Sequence, residues 1–315
     1  MQTLALGIFN GVSYGMLLFL MAAGLTLVFS MLGMLNFAHP AFYMLGAYFA
    51  YTFAQLLGLG YWGGLIAAPL CCALLGGLVE RFLVRRVIHF GLLGPLLLTF
   101  GLEIVIVESV TLLWGKQPVA YAIPAMLDFP LFSLYGIDYS AYRAFTLVMT
   151  LAVLALLYGL LKGTRIGTTV RASLSHPEIV NALGHNLPRL RTNVFALGSA
   201  LAGLAGALSG NVIGTDPGMA NQLGGILMIV IVVGGLGSLS GAFVAALLIG
   251  VLQTLTVSTQ LSWADLLLPF QHVFTGIATS DALTQSVSRF APLVPFAIVI
   301  AVLAVRPRGL MGNRH

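Results

Sequence analysis

From Met1 to Val79 the chain contains no Asp, Glu, Lys or Arg, and Glu80 is its first charged residue. No soluble domain is built on such a stretch, because a water-facing surface carries charged side chains at roughly a quarter of positions. Over all 315 residues, charged side chains make up 7% and hydrophobic ones 59%. Lipid is therefore the expected solvent, and the useful count is of spans, each about 20 apolar residues long. No basic segment precedes the first apolar stretch, which runs well past the apolar core of a cleavable leader, so it is expected to stay as a span. The 37 glycines are costly in isolated soluble helices. In a membrane bundle, small residues let helix backbones approach closely. Gly7, Gly11 and Gly15 recur on one helix face, as do Ala202, Gly206 and Gly210, and Ala242, Ala246 and Gly250, which marks all three rows as helix-packing surfaces.

The uncharged run is longer than one span, so its turns must be drawn from Gly, Pro and small polar residues. Spans are expected near 5–30, 38–57, 62–80, 93–114, 142–162, 192–213, 238–257 and 291–305. The apolar segment Leu223–Gly235 would measure roughly 20 Å as a helix, short of the roughly 30 Å hydrocarbon core. It reads as a half-helix or broken crossing. The expected fold is all-α: a single transmembrane domain over 1–315, a polytopic bundle of about eight to nine spans that includes broken or half-helices.

Three basic clusters set the orientation: Arg81, Arg85 and Arg86; Lys162, Arg165, Arg171, Arg189 and Arg191; Arg306, Arg308 and Arg314. The positive-inside rule puts all three in the cytoplasm, and the loops near 115–141 and 258–290 outside. Nine crossings then leave the N-terminus outside and the C-terminus inside, provided Leu223–Gly235 crosses. The net charge of +5 follows from this rule and requires no nucleic acid.

No phosphate loop, H-E-x-x-H or G-x-S-x-G motif, or paired Cys/His metal spacing is present. The chain is expected to be non-catalytic, without metal or cofactor, and to draw power from an ion gradient or a partner. Cys71 and Cys72 are adjacent in an apolar run and read as buried small hydrophobes rather than a disulfide.

Polar residues gather in three places. Asn36, Phe37 and His39, followed by the helix-restarting Pro40, lie between two apolar runs. They form either a tight turn whose side chains satisfy backbone groups or a broken helix lining a substrate path. Gly234, Gly235, Gly237 and Ser238 follow the short apolar segment. They form either a plain turn or a place where a restarting helix offers N–H groups to a carboxylate or amide. Between Thr164 and Arg191, the segment from Pro177 to Gly184 reads as one short helix, with Glu178 in its first turn and Gly184 after its end. It either rests on the bilayer or docks on a partner. Glu103 and Glu108 point about 140° apart on their span and so do not form one paired site. Glu103 is expected to make a structural hydrogen bond, with a proton relay as the alternative, and Glu108 to sit near the outer interface.

These regions, in this order, resemble the permease subunits of the branched-chain amino acid ABC importers. The resemblance is carried by Gly24-Leu25-Thr26-Leu27-Val28-Phe29, Asn36-Phe37-Ala38-His39 with Leu45-Gly46-Ala47-Tyr48, Thr164-Arg165-Ile166-Gly167 with Arg171-Ala172, Gly234-Gly235-Leu236-Gly237-Ser238 with Gly241-Ala242, and the terminal Arg306-Pro307-Arg308-Gly309-Leu310-Met311-Gly312. Pro40 stands where the family has glycine, and Ile179 and Val180 stand where the coupling motif has alanines. The resemblance implies an ABC importer permease fold in a bacterial inner membrane. It also implies a coupling loop over 164–191 in which Arg171, Glu178, Asn181, Ala182 and Gly184 meet the ATPases. Its implied partners are a second homologous permease, two cytoplasmic ATPases, a periplasmic substrate-binding protein and membrane lipid. The cargo stays open among branched-chain amino acids, urea, amides and aromatic acids. An ion-coupled secondary transporter using Glu103, or a passive channel, is the competing class.

Overall fold

The computed structural model describes residues 2–91, 93–134, 137–175, 177–259 and 286–312. Its first helix, α1 (Gln2–Leu32), is followed by α2 (His39–Tyr51), which continues through a π-helical turn to Leu56. Next comes α3 (Gly60–Val79), extended by a π turn over Glu80–Val84, the short α4 (Arg85–Val87) and a 3-10 turn to Phe90. Then follow α5 (Leu93–Trp114), α6 (Ala141–Gly163), α7 (Arg165–Ser175), α8 (Pro177–Ala182) and α9 (Leu187–Ile213). The chain closes with α10 (Met219–Gly234), α11 (Leu239–Ser258) and α12 (Val294–Val305), the last led in by a 3-10 segment from Val287.

Seven of these elements are long and apolar enough to cross a membrane, and the polytopic bundle expected from the sequence is what forms. Two further helices of the bundle, α2 and α10, are shorter, at 13 and 16 residues. The loop near 258–290 falls largely outside the described residues. The loop near 115–141 holds an element the sequence reading did not anticipate, an antiparallel hairpin of β1 (Pro130–Leu134) and β2 (Ile137–Ser140). Its Phe132 and Tyr139 rings stack at 5.0 Å, and Tyr139 Oη meets Ser13 Oγ of α1 at 2.9 Å.

Small residues set the core. A Cβ on Gly46 of α2 would fall 2.2 Å from the Gly203 carbonyl oxygen of α9, and one on Gly206 would fall 1.9 Å from that of Tyr43. At these points α2 and α9 cross backbone to backbone. On the other flank α1 and α11 run antiparallel in the same way. Gly11 would place a Cβ 2.6 Å from Val251 Cα, Gly15 one 2.8 Å from Ala246 O, and Gly7 meets Leu255. Ala202 is fully buried, and a Cβ on Gly210 would meet Thr215 and Ala47. Beside Gly206 and Gly210 on α9, buried tyrosine hydroxyls add polar ties. Tyr61 and Tyr142 meet at 2.9 Å, Tyr142 donates to Leu208 O at 2.7 Å, and Ser209 donates to Tyr43 Oη at 2.7 Å.

Among the described residues, which leave out Arg314, the basic clusters share one end of the bundle. Arg85 Nη2 donates to Pro188 O at 2.9 Å, Ser173 Oγ to Met31 Sδ at 3.0 Å, and Ser30 Oγ to Gly237 O at 3.0 Å. These contacts join α4, which extends α3, to the start of α9, and the end of α1 to α7 and to the turn after α10, all on that side. The hairpin, the start of α1 and the Trp114 end of α5, which donates from Nε1 to Thr52 Oγ1 at 2.9 Å, lie at the other.

Candidate functional site

Two helices start inside the bundle rather than at its ends, and the site lies where they meet. After α1 ends at Leu32, the chain turns back: the His39 imidazole Nε2 donates to Met21 O at 3.0 Å. Met21 is eleven residues before the end of α1, so α2 begins about 16 Å inward. The backbone of 33–38 is thus irregular at membrane depth, which is tolerated only inside protein or beside a water-filled path. Its polar groups are largely satisfied locally. Asn36 Oδ1 accepts from Ala38 N at 3.1 Å, and the Phe37 N–H donates to Thr99 Oγ1 of α5 at 3.2 Å. Asn36 and His39 are both fully buried, and Asn36 Nδ2 and His39 Nδ1 have no partner among the described residues. These two side chains therefore build the turn, and Phe37 is the member of the set that reaches an open surface.

That surface is a cleft of about 150 Å³, walled by Phe37 and Pro40 on one side, Glu103 of α5 on another, and Asn221, Gly224, Gly225 and Met228 of α10 on the third. The 16 residues of α10 measure about 24 Å, and its N-terminal half carries exposed Asn221, Gln222 and Gly225. Gly224 brings α10 against the turn: a Cβ there would lie 3.4 Å from Pro40 Cγ and 3.9 Å from Glu103 Oε1. Glu103 is partly buried and makes no hydrogen bond with any described residue, contrary to the structural bond expected of it. Its carboxylate is free to meet a cation or a donor entering the cleft. Glu108 is exposed.

The glycine-rich segment lies elsewhere. Gly234 and Gly235 close α10 about 15 Å along the helix from Gly224, and the C-terminal tail sits on them. Leu310 N donates to Val233 O at 2.8 Å and Met311 N to Gly234 O at 3.0 Å. Gly235 has φ +101, and a Cβ on it would fall 2.6 Å from Gly312 N, so both its conformation and its neighbour exclude a side chain. Ser238 caps α11 by accepting from Gly241 N at 3.1 Å, and the Gly237 carbonyl is taken by Ser30. Of the first-turn N–H groups of α11, that of Gly241 is thus used within the fold, and Gly234, Gly235, Gly237 and Ser238 do not line the cleft.

At the basic end α8 closes with a Schellman turn. His185 N donates to Val180 O at 3.2 Å and Gly184 N to Asn181 O at 3.0 Å, with Gly184 at φ +86. Val180 is buried at 3%, whereas Ile179 and Leu183 stand out at 56% and 73%. Glu178, Asn181 and Ala182 are exposed beside them. Arg171 belongs to α7, which packs on α1, α6 and α8. The sequence reading missed Asn221, Gly224, Gly225 and Thr99. The visible signal was the polar pair Asn221-Gln222 just before a segment too short to cross.

A family model described as the branched-chain amino acid transport system permease component matches residues 7–303. The chain is 28% identical, over 97% of its length and 94% of the relative's, to the high-affinity branched-chain amino acid transport system permease protein LivH of Escherichia coli. It is 27% identical to BraD, the protein of the same description from Pseudomonas aeruginosa, over 96% of this chain and 94% of that one. It is 25% identical to a probable branched-chain amino acid transport permease of Methanocaldococcus jannaschii, over 96% and 91%. No solved structure matches it at a significant level.

Proposed function

Because this chain belongs to the family of branched-chain amino acid transport system permease components, we propose that it is the membrane-spanning, non-catalytic subunit of an ATP-binding-cassette importer. Its cargo is a branched-chain amino acid or a related small polar solute. The partners are a second homologous permease, two cytoplasmic ATPases and a periplasmic binding protein. The bundle lies in a bacterial cytoplasmic membrane with its basic end in the cytoplasm, which puts the N-terminus outside and the C-terminus inside.

The observation that carries this reading is α8. Exposed Ile179 and Leu183, one turn apart on six-residue α8 and the turn that closes it, form an apolar knob that no described residue covers. An ATPase groove would cover it, with Glu178, Asn181, Ala182 and Gly184 at the contact and Arg171 behind it. Motion of α8 then passes through α7 to the end of α1, where Ser173 meets Met31, and so to the turn that carries Phe37. Glu178→Arg tests the reading: the ATPases should no longer co-purify, with membrane insertion intact. Undiminished co-purification and transport would remove α8 from the coupling role.

The cleft supports the cargo and the second permease. At about 150 Å³ it falls below the roughly 300 Å³ at which small-molecule pockets begin, so this face is one part of a path that a second permease completes. The Glu103 carboxylate favours a solute with an ammonium group, which amino acids have and urea and simple amides lack. The same unpaired carboxylate at membrane depth also supports the second reading, an ion-coupled carrier. Uptake by this chain alone in proteoliposomes, driven by a proton or sodium gradient without nucleotide, would establish that reading instead.

A further inference from the structure

A second cavity, unrelated to the cleft, opens between the end of α3 and the start of α9. It measures about 530 Å³ and is lined by Arg81, Arg85, Arg189, Asn186 and Asn193. Beneath it lies a closed ion pair. Glu80, 1% exposed, accepts from Arg85 Nη2 at 3.1 Å and from Thr192 Oγ1 at 2.5 Å. Glu80 thus neutralises Arg85. Arg81 and Arg189 have no carboxylate partner among the described residues and leave the cavity positively charged. Asn186 caps α9 by accepting from Arg189 N at 3.0 Å, so the cavity's attraction for anions comes from guanidinium groups rather than from a free helix end.

The depth of the cavity indicates what fills it. Counted from Gly60, where α3 begins, Arg81 lies about 31 Å along the helix, one hydrocarbon thickness. It therefore stands at headgroup level. Above it, Ile66, Leu70, Leu74 and Leu78 form an exposed apolar row, one residue per turn, with exposures of 65%, 59%, 70% and 51%. The Arg81 guanidinium lies 5.6 Å from the ring centroid of Phe82, itself exposed, which is the amphipathic arrangement of an interfacial anchor. A cationic pocket at the foot of a lipid-facing apolar row matches a molecule with an anionic head and a hydrocarbon tail.

We propose that this cavity binds the phosphodiester headgroup of an anionic membrane lipid, held by Arg81 and Arg189, with an acyl chain lying along the α3 row. Asn186 and Asn193 supply neutral donors to the headgroup, and the Glu80–Arg85 pair holds α3 and α9 at the spacing the pocket requires. The site is independent of the cargo and coupling assignments.

The test is native mass spectrometry of the full-length chain, delipidated in detergent with any co-purifying subunits. It is titrated with phosphatidylglycerol, with phosphatidylcholine, and with phosphatidylglycerol in the presence of excess inorganic phosphate. Wild type should retain phosphatidylglycerol over phosphatidylcholine. Arg81→Gln with Arg189→Gln should weaken that retention about 30-fold, at roughly fivefold per interfacial arginine, and either single change about fivefold. Arg81→Lys with Arg189→Lys should keep most of it and controls for folding. Equal retention of both lipids, or phosphatidylglycerol binding untouched by the double Gln variant, overturns the proposal. Full displacement by inorganic phosphate would make the ligand a free anion. Loss of co-purifying ATPase with lipid retention unchanged would make the cavity a protein-docking surface.

Discussion

Replacing Gly46 by alanine adds one methyl group to a face that has no room for it. The new Cβ would lie 2.2 Å from Gly203 O, 2.4 Å from Gly203 Cα and 2.6 Å from Gly203 C. All three atoms are backbone, so no side chain can rotate away, and α2 and α9 must part by about 1 Å to restore ordinary contact. A gap of that size forfeits about a quarter to a half of the dispersion attraction of each atom pair along the seam. The cost should therefore reach the upper part of the overpacking range, about 3 kcal/mol. At roughly 2–4 °C per kcal/mol this lowers the melting midpoint by about 6–12 °C. The protein carries its own reporter: Cys72 is fully buried, and its Sγ would sit 2.7 Å from a Cβ on Gly203 of α9. In a Cys71→Ser background, labelling of Cys72 by a thiol-reactive dye in detergent should follow separation of α3 from α9 on heating. Gly101→Ala is the control, because a Cβ there meets nothing within 4 Å, and its midpoint should not fall. If Gly46→Ala melts within about 2 °C of its parent, less than one kcal/mol on that scale, the backbone crossing of α2 and α9 is refuted.

Gly225 is exposed in the cleft, and a Cβ on it meets nothing within 4 Å. Gly225→Trp should fold normally yet cut uptake by the assembled transporter at least about tenfold, or ~1.4 kcal/mol; undiminished uptake would take the cleft off the solute path. Glu103→Gln keeps the shape and removes the charge. It should raise the apparent KM for an amino acid substrate by about 10- to 100-fold, the worth of a charged hydrogen bond, with expression unchanged. Arg85→Ala strips the buried Glu80 of its cation and should destabilise the bundle by about 3 kcal/mol in the same thiol-dye assay, whereas Glu80→Met with Arg85→Met should recover much of that loss.

The spans were legible because hydropathy is local: a run of about 20 apolar residues needs no knowledge of its neighbours. The short helix beginning at Pro177 was legible for the same reason, since a first-turn proline and a glycine after the last turn act within a few residues. The turn at Asn36–His39 was read as polar and irregular, but its depth was not legible. Depth depends on His39 reaching Met21, which is a contact between helices. The glycine-rich segment was legible only as a tight turn or a place of close approach, for a related reason. Gly235 signals close approach by something, and only the folded chain shows that the visitor is its own C-terminal tail.

The uncharged run from Met1 to Val79 determined by itself that this protein folds in lipid, and the basic clusters determined that their segments share one end. Both are properties of single segments partitioning between water and hydrocarbon, so sequence suffices for them. Which polar groups are spent inside the bundle and which stay free was decided by the tertiary structure alone. Asn36 Oδ1, His39 Nε2 and Ser238 Oγ are spent, whereas Glu103 is left facing a cleft with Asn221 and Phe37. That outcome depends on two short helices starting inside the bundle, and helix depth is fixed by packing between distant segments rather than by the hydropathy of any one of them.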